Sequence, residues 1–427
     1  MIYTGDLLNF IKSSTSPFHT VATAEKYLME NDFEELDLAC DWQLDFAKKY
    51  YVKVYDSTLV AFNLHEDLRK GIKIVSSHTD FPCLKLKPNS QVLQNNYGKL
   101  NVEVYGGMIL NTWLDRPLSI AGKVMLKGEE VFLPKTKLVD LQRPVATIPN
   151  LAIHMDRMVN KGKELNRQKD MLPLVFMVNN DDEKSDEEYL LQILAKELHC
   201  ELDDILSYEL YLYQFEEGCY LGFNQEFISS PRLDNLTSVK ACIEGIIADT
   251  REKGLNVAVL FDNEEVGSRT KQGGASLILA NILERIYLAC NRTRGEFLAD
   301  LHKSFMLSID VAHAMHPNCP EKNDITNRPL LNRGVAIKTS ASQSYAGDGE
   351  AVAIIKNLCQ RNKIAYQMYV NRSDIAGGST LGSISSTLLP MRTLDIGIPI
   401  LAMHSARECM GKDDQKSLEL LVKAFFA

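Results

Sequence analysis

No stretch of this 427-residue chain is an apolar run of 18 or more residues, and its first residues lack a basic segment followed by an apolar core. A membrane-spanning helix and a secretory leader are therefore not expected, and a cytoplasmic location is. The nine cysteines are scattered, none stands in a C-x-x-C pair, and their number is odd. That counts against a disulfide framework and a cysteine zinc ribbon and favours free thiols. Positive charge is also short: Lys plus Arg is 47 against 56 for Asp plus Glu, a net charge of −9. A general nucleic-acid binder needs a basic face, so that class is set aside. No internal repeat or low-complexity segment is found.

What is present is an ordinary enzyme-like composition, long enough for two to three domains. Helical patterns are expected at 6–12 and 20–30, the second capped by Thr20, with strands at 51–55, 58–62 and 71–77. From about 87 to 218 the texture shifts. It has β-like pieces at 123–126 and 131–133, a charged loop from Asn179 to Glu188, a helix near 187–199 and a strand at 208–213. Beyond 232, helices and strands alternate. Helices are expected near 235–250, 275–292, 347–361 and 414–425, with strands at 256–261, 305–309, 335–338, 365–369 and 398–403, and turns at 377–382. Alternation of this kind predicts a three-layer α/β domain with a mixed, mostly parallel sheet. The expected domains are a discontinuous one, 1–86 and 219–427, and an insert, 87–218.

Histidines and carboxylates recur at expected strand ends. His78-Thr79-Asp80 follows the strand 71–77, and Asp234 precedes a helix. Glu264-Glu265 follow the strand 256–261, Asp310 closes 305–309, and His404 closes 398–403. In open α/β sheets, ligands bind outside the carboxyl ends of the strands, so these groups can converge. Singly each is commonplace, since an Asp before a helix usually caps it. Together they match the N/O donor set of a two-zinc hydrolase, with cobalt or manganese suited to the same ligands. Asp234 serves as the bridge, His78 and Asp310 hold one ion, and Glu265 and His404 hold the other. Glu264 is left as general base, and Asp80 is placed to accept the His78 N–H and fix its tautomer.

Several longer motifs surround these residues: Trp113-Leu114-Asp115-Arg116-Pro117-Leu118, Ile148-Pro149-Asn150-Leu151-Ala152-Ile153-His154 and Arg232-Leu233-Asp234-Asn235-Leu236 among them. Phe261-Asp262-Asn263-Glu264-Glu265-Val266-Gly267-Ser268, the segment from Asp310 to Asn318 and the segment from Leu401 to Glu408 complete the set. In this order they resemble the motifs of the aspartyl-aminopeptidase family of dinuclear zinc exopeptidases, from residue 14 to the C-terminus. The resemblance implies the same ligands and base, two Zn²⁺ per chain and peptide substrates. It implies an insert that is a β-rich dimerisation domain, and a homododecamer built from dimers. It also implies that His154 enters a neighbouring subunit's active site, where it stabilises the tetrahedral intermediate or positions substrate. No nucleic-acid or membrane partner is implied.

The same resemblance points to Lys338, Ser342, Tyr345, Asp374 and Gly378 on the substrate side, Asp374 near the substrate amine. Acid-preferring members carry Lys or Arg where Ser342 and Ser344 stand here. Two serines remove the charge that would pair with an acidic side chain, which leaves the preferred N-terminal residue open. The alternative reading is a dinuclear hydrolase of N-acyl amino acids or other amides.

Overall fold

The apolar runs Leu255–Phe261 and Ile72–His78, with Phe305–Ile309 and Arg392–Gly397, form the parallel centre of a nine-stranded sheet. All seven residues of Leu255–Phe261 are buried, as expected for a strand covered on both faces. The computed structural model describes residues 3–177, 188–375 and 377–427. Of the charged loop expected from Asn179 to Glu188, all but the last residue lies outside them. By its contacts the chain divides into two compact units: Met1–Asp80, Gly218–Met403 and Glu408–Ala427 in one, Phe81–Glu217 and His404–Arg407 in the other.

In the first unit the sheet runs, edge to edge, Phe33–Glu35, Lys49–Val54, Thr58–Leu64, then the strands Leu255–Phe261, Ile72–His78, Phe305–Ile309 and Arg392–Gly397, then Val335–Lys338 and Tyr366–Tyr369. Pairing is antiparallel on both sides of Thr58–Leu64 and between Arg392–Gly397 and Val335–Lys338, and parallel elsewhere. The sheet is thus mixed and mostly parallel. Val257, Val259, Phe261, Ile72 and Ile74 alternate onto one face and pack with Leu279, Ile282, Leu283 and Ile286 of the helix Ile278–Ala289. The helices Leu233–Ile247 and Asp414–Phe426 pack on each other, and the former lies against Ile72–His78. A small five-stranded sheet includes Phe227–Ser230, Glu408–Gly411 and Pro399–Leu401.

Some boundaries differ from expectation. Thr20 is not a cap: the helix Pro17–Met29 starts earlier, with Ser16 accepting from the His19 N–H and Pro17 in the first turn. Proline suits that position because its missing N–H has no partner there anyway. The expected strand 398–403 is only Pro399–Leu401 and belongs to the small sheet, because Ala402 and His404 take positive φ and break the extended path. The turns at 377–382 give way to a helix, Leu381–Leu388, and the strand Arg392–Gly397 was not expected.

The second unit holds a six-stranded antiparallel sheet, with order Leu133–Asp140, Leu118–Glu130, Ile205–Gln214, Cys83–Gln94, Tyr97–Tyr105, Leu174–Met177. The helix Tyr189–Leu198 buries Leu190, Leu194 and Leu198, one stripe at i, i+4, i+8. Of the β-like piece at 131–133, Val131 and Phe132 form the hairpin turn between the two arms and only Leu133 is in a strand. Among the described residues no helix is long and apolar enough to cross a membrane.

Candidate metal centre

Strand register brings the site together. Phe261 pairs with His78, and Ser308 pairs with Ser76, so the segments after Phe261 and Ile309 emerge level with His78. His78 is buried, and its Nε2 lies 3.5 Å from Asp234 Oδ1, 3.6 Å from Asp310 Oδ1 and 4.0 Å from Glu264 Oε2. One ligand atom each from His78, Asp234 and Glu265 fall within 4.8 Å of one another. Four of the five expected ligands, and the expected base, thus meet at the carboxyl ends of three neighbouring strands.

Local backbone explains the placement. Asn263 has φ 62° and turns the chain sharply after Phe261, so Glu264 and Glu265 form one turn of 3-10 helix instead of continuing outward. Asp80 holds that turn: its Oδ1 accepts the Glu264 N–H and its Oδ2 the Glu265 N–H, both at 3.1 Å. The expected tautomer lock differs in detail. His78 Nδ1 is 2.9 Å from the backbone carbonyl of Asp80 and 3.4 Å from its carboxylate Oδ1, because that carboxylate faces the glutamate turn. A donating Nδ1–H leaves the lone pair on Nε2, the atom aimed at the carboxylates.

Asp234 and Asn235 depart from helical dihedrals at the start of the helix Leu233–Ile247. Two residues that the sequence reading passed over fix them there. Buried Glu408 accepts the Asp234 N–H at 3.0 Å, and Asn235 Nδ2 donates to the Ile309 carbonyl at 3.0 Å. Gly397 is a third. Its backbone runs so close to Asp310 that a Cβ would collide with the Asp310 carbonyl oxygen. The signal for all three was present only as their place inside the Arg232–Leu236 and Leu401–Glu408 motifs or beside a ligand strand.

The remaining expected residues are dispersed. Lys338 is buried, with Nζ 3.9 Å from Asp310 Oδ2 and 5.2 Å from the Tyr345 ring centre, so it faces an expected ligand from within the fold. Tyr345 is buried too, and the following Ala346 N–H donates to buried Asp395, which ties this loop to the central sheet. Ser342 is exposed, with its hydroxyl 2.9 Å from those of Ser340 and Ser344. Asp374 is exposed and held by both Nε and Nη2 of Arg372, which keeps its carboxyl below the ordinary range. At Gly378 a Cβ would meet nothing within 4 Å. His404 and His154 belong to the second unit. His404 Nδ1 is 3.0 Å from the Gly107 carbonyl, and His154 is exposed in an irregular loop.

The electrostatics ask for a cation. Burial, with the charges of Asp310, Asp80 and Asp234, pushes the Glu264 carboxyl up to about 8 against the pull of His78. Burial and the Asp80 charge push Asp262 up to about 7. His78 is also raised: burial opposes its charge, but the hydrogen-bonding carboxylates of Asp234, Asp310 and Asp80 outweigh it. An imidazolium among carboxylates is the cation the chain supplies from within, and a metal ion would displace that proton. One imidazole nitrogen and several carboxylate oxygens, with His78 and Asp234 buried and Glu264, Glu265 and Asp310 half-buried, fit zinc.

Comparison with known proteins agrees. The family model described as aminopeptidase I zinc metalloprotease (M18) matches residues 10–426. A probable M18 family aminopeptidase 2 from Clostridium novyi (strain NT) is 49% identical over 99% of this chain and 98% of its own. Among solved structures, one titled as the cryo-EM structure of the Ape4 and Nbr1 complex superposes with a TM-score of 0.95 at 34% identity, covering 99% of this chain and 85% of that one. Another, titled as the structure of the S. cerevesiae mApe1 dodecamer, has a TM-score of 0.84 at 27% identity, covering 99% and 95%. The chain belongs to the M18 family of zinc metallo-aminopeptidases.

Proposed function

We propose that this aminopeptidase removes N-terminal residues from short peptides with two zinc ions per chain, held by His78, Asp234, Glu265, Asp310 and His404, with Asp234 shared. The observation that carries the reading is the convergence of His78, Asp234 and Glu265 within 4.8 Å, with Asp310 and Glu264 beside them. Zinc, when bound, supplies Lewis-acid polarisation of the scissile carbonyl and acidifies water. Glu264 takes the proton of the attacking water and delivers it to the leaving amine. Asp80 keeps Glu264 and Glu265 in register through their N–H groups, and Lys338 holds Asp310 from behind. Ser342, Tyr345 and Gly378 stay on the substrate side. Asp374 already has its charge balanced by Arg372, so the peptide's ammonium is left chiefly to the carboxylates of the centre.

The assembly we propose is a homododecamer of dimers in which the second unit makes the dimer contact and exposed His154 reaches a neighbour's site. The support is the exposure of that loop and the dodecamer named for a similar chain. A cytoplasmic location belongs to the same reading.

A panel of aminoacyl amides, assayed with zinc, cobalt and manganese added, tests the activity. Turnover that requires a free α-amine supports it, and the identity of the fastest substrate sets the specificity. Faster hydrolysis of N-acylated amides would instead favour the amide-hydrolase reading, which the relatives' names do not favour.

A further inference from the structure

The chain leaves the Glu264–Val266 turn in a loop that is tied back onto it. Gly267 and Ser268 take positive φ, 94° and 61°, and fold the loop over. The Ser268 N–H donates to the Asn263 carbonyl at 2.7 Å, and Thr270 Oγ1 donates to Asn263 Oδ1 at 2.8 Å. Gln272 closes the frame: its Nε2 donates to Asp262 Oδ2 at 3.3 Å, and its carbonyl accepts from Thr58 Oγ1 at 2.8 Å. The cations this frame displays are Arg269 and Lys271, both exposed. Lys271 Nζ lies 4.1 Å from the ring centre of Tyr55, which is itself exposed in the turn between Lys49–Val54 and Thr58–Leu64. Such a contact holds an ammonium in place without neutralising it. Neither Arg269 nor Lys271 has a carboxylate partner among the described residues, in a chain of net charge −9.

A lone exposed cation is ordinary surface. Two of them on one fastened loop, beginning where Glu264 and Glu265 end, are placed for a charged part of the same substrate. We propose that Arg269 and Lys271 bind a carboxylate of the peptide on the leaving side of the scissile bond. This rests on the aminopeptidase reading above and names what its leaving side recognises. A peptide carries its ammonium at the end that is removed and a carboxylate on the part that leaves. The acidic centre suits the first, and Arg269 and Lys271 supply the opposite sign for the second. A leaving part of one or two residues puts its carboxylate within about 7 Å of the scissile bond, since an extended residue spans about 3.3–3.6 Å. The fork of the Arg269 guanidinium matches a carboxylate bidentately, and the Lys271 ammonium adds a point charge beside it.

Three peptides test this on the full-length zinc-loaded protein at low salt. Each starts with the N-terminal residue found fastest in the aminoacyl panel. One continues as Gly-Gly with a free carboxylate, one as Gly-Gly amide, and one as Glu-Gly amide, which carries its carboxylate on a side chain. Wild type is expected to favour a carboxylate-bearing peptide over the Gly-Gly amide by about three- to tenfold in kcat/KM, mostly through KM, and less so as salt is raised. Arg269→Ala with Lys271→Ala should bring that ratio close to one, Arg269→Glu with Lys271→Glu should invert it, and Arg269→Lys with Lys271→Arg should keep most of it. Melting temperature and zinc content should stay unchanged in all three, since side chains so exposed support little of the fold. Preference for the free terminus alone assigns the pair to the terminal carboxylate, and preference shared with the Glu peptide extends it to acidic side chains. Equal kcat/KM for the three peptides in wild type, or a ratio that survives both the alanine and the glutamate variants, overturns the proposal and leaves the aminopeptidase reading intact. Hydrolysis of none of the three overturns both.

Discussion

Glu264 is the residue on which turnover is expected to depend most steeply. Glu264→Gln keeps the shape and the backbone N–H that Asp80 accepts, but cannot take a proton. We expect kcat to fall by about 10²–10⁴ with zinc content unchanged, measured on the best aminoacyl amide with metal analysis in parallel. A fall below tenfold would remove Glu264 from the base role. Asp80 acts at one remove. Asp80→Asn retains one acceptor oxygen for two N–H groups, so kcat should fall by a smaller factor and the optimum pH should move, whereas a purely structural residue would lower stability and leave the pH profile in place. The residues proposed as ligands and base were visible in the sequence as candidates because residue type at an expected strand end suggests metal chemistry. Glu408, Asn235 and Gly397 were not, because each works by holding another residue's backbone, and nothing in their own chemistry says whose.

Among elements, the strand Thr58–Leu64 and the end of the helix Leu233–Ile247 are joined through Asp249. Its buried carboxylate meets Asn63 Nδ2 and His65 Nε2 at 2.7 Å and accepts the Arg251 N–H at 2.8 Å. Burial works against its charge, but the hydrogen bonds from His65, Arg251 and Asn63 win and its carboxyl titrates below the ordinary range. A depressed carboxyl stabilises the fold above its unfolded pKa, and that stabilisation is lost as pH falls through the folded value. Asp249→Asn should therefore lower the urea midpoint at pH 7 by the equivalent of about 2 kcal/mol, and the gap to wild type should persist to about pH 4 and narrow only below it. A gap of constant size would assign the effect to packing. Of the four central parallel strands, Arg392–Gly397, which carries Arg392, Thr393 and Asp395, does not read as an apolar run, but the other three were readable as such. The five-stranded sheet was not, because Pro399–Leu401 and Glu408–Gly411 are too short for their period to stand out. The helix Leu381–Leu388 was hidden behind Gly377 and Gly378, which read as turn.

On the scale of the whole molecule, the acidic excess of the sequence is concentrated where the cation belongs. Asp80, Asp234, Glu264, Glu265 and Asp310 surround one imidazole, and without metal their repulsion opposes folding. Chelation should lower the melting temperature, and zinc should restore it in step with activity, because an ion bound only by the folded state stabilises it by mass action. Equal melting temperatures with and without chelator would mean that the cluster is not the site. The second unit, Phe81–Glu217, is where antiparallel pairing replaces the alternating units, and a change of texture near 87 and 218 was visible in the sequence. That His404–Arg407 clusters with the insert was not, since those residues lie almost two hundred positions further along the chain.

The close approach of Gly397 to Asp310 matters to anyone who would redesign this enzyme. Even the smallest side chain there pushes on Asp310, one of the proposed ligands, so the floor of the site admits no gradual adjustment. The run from Ser340 to Ser344 is the opposite: three hydroxyls in the open, bonded to one another. With those serines on the proposed substrate side, libraries aimed at a new N-terminal preference should vary them and leave the floor alone.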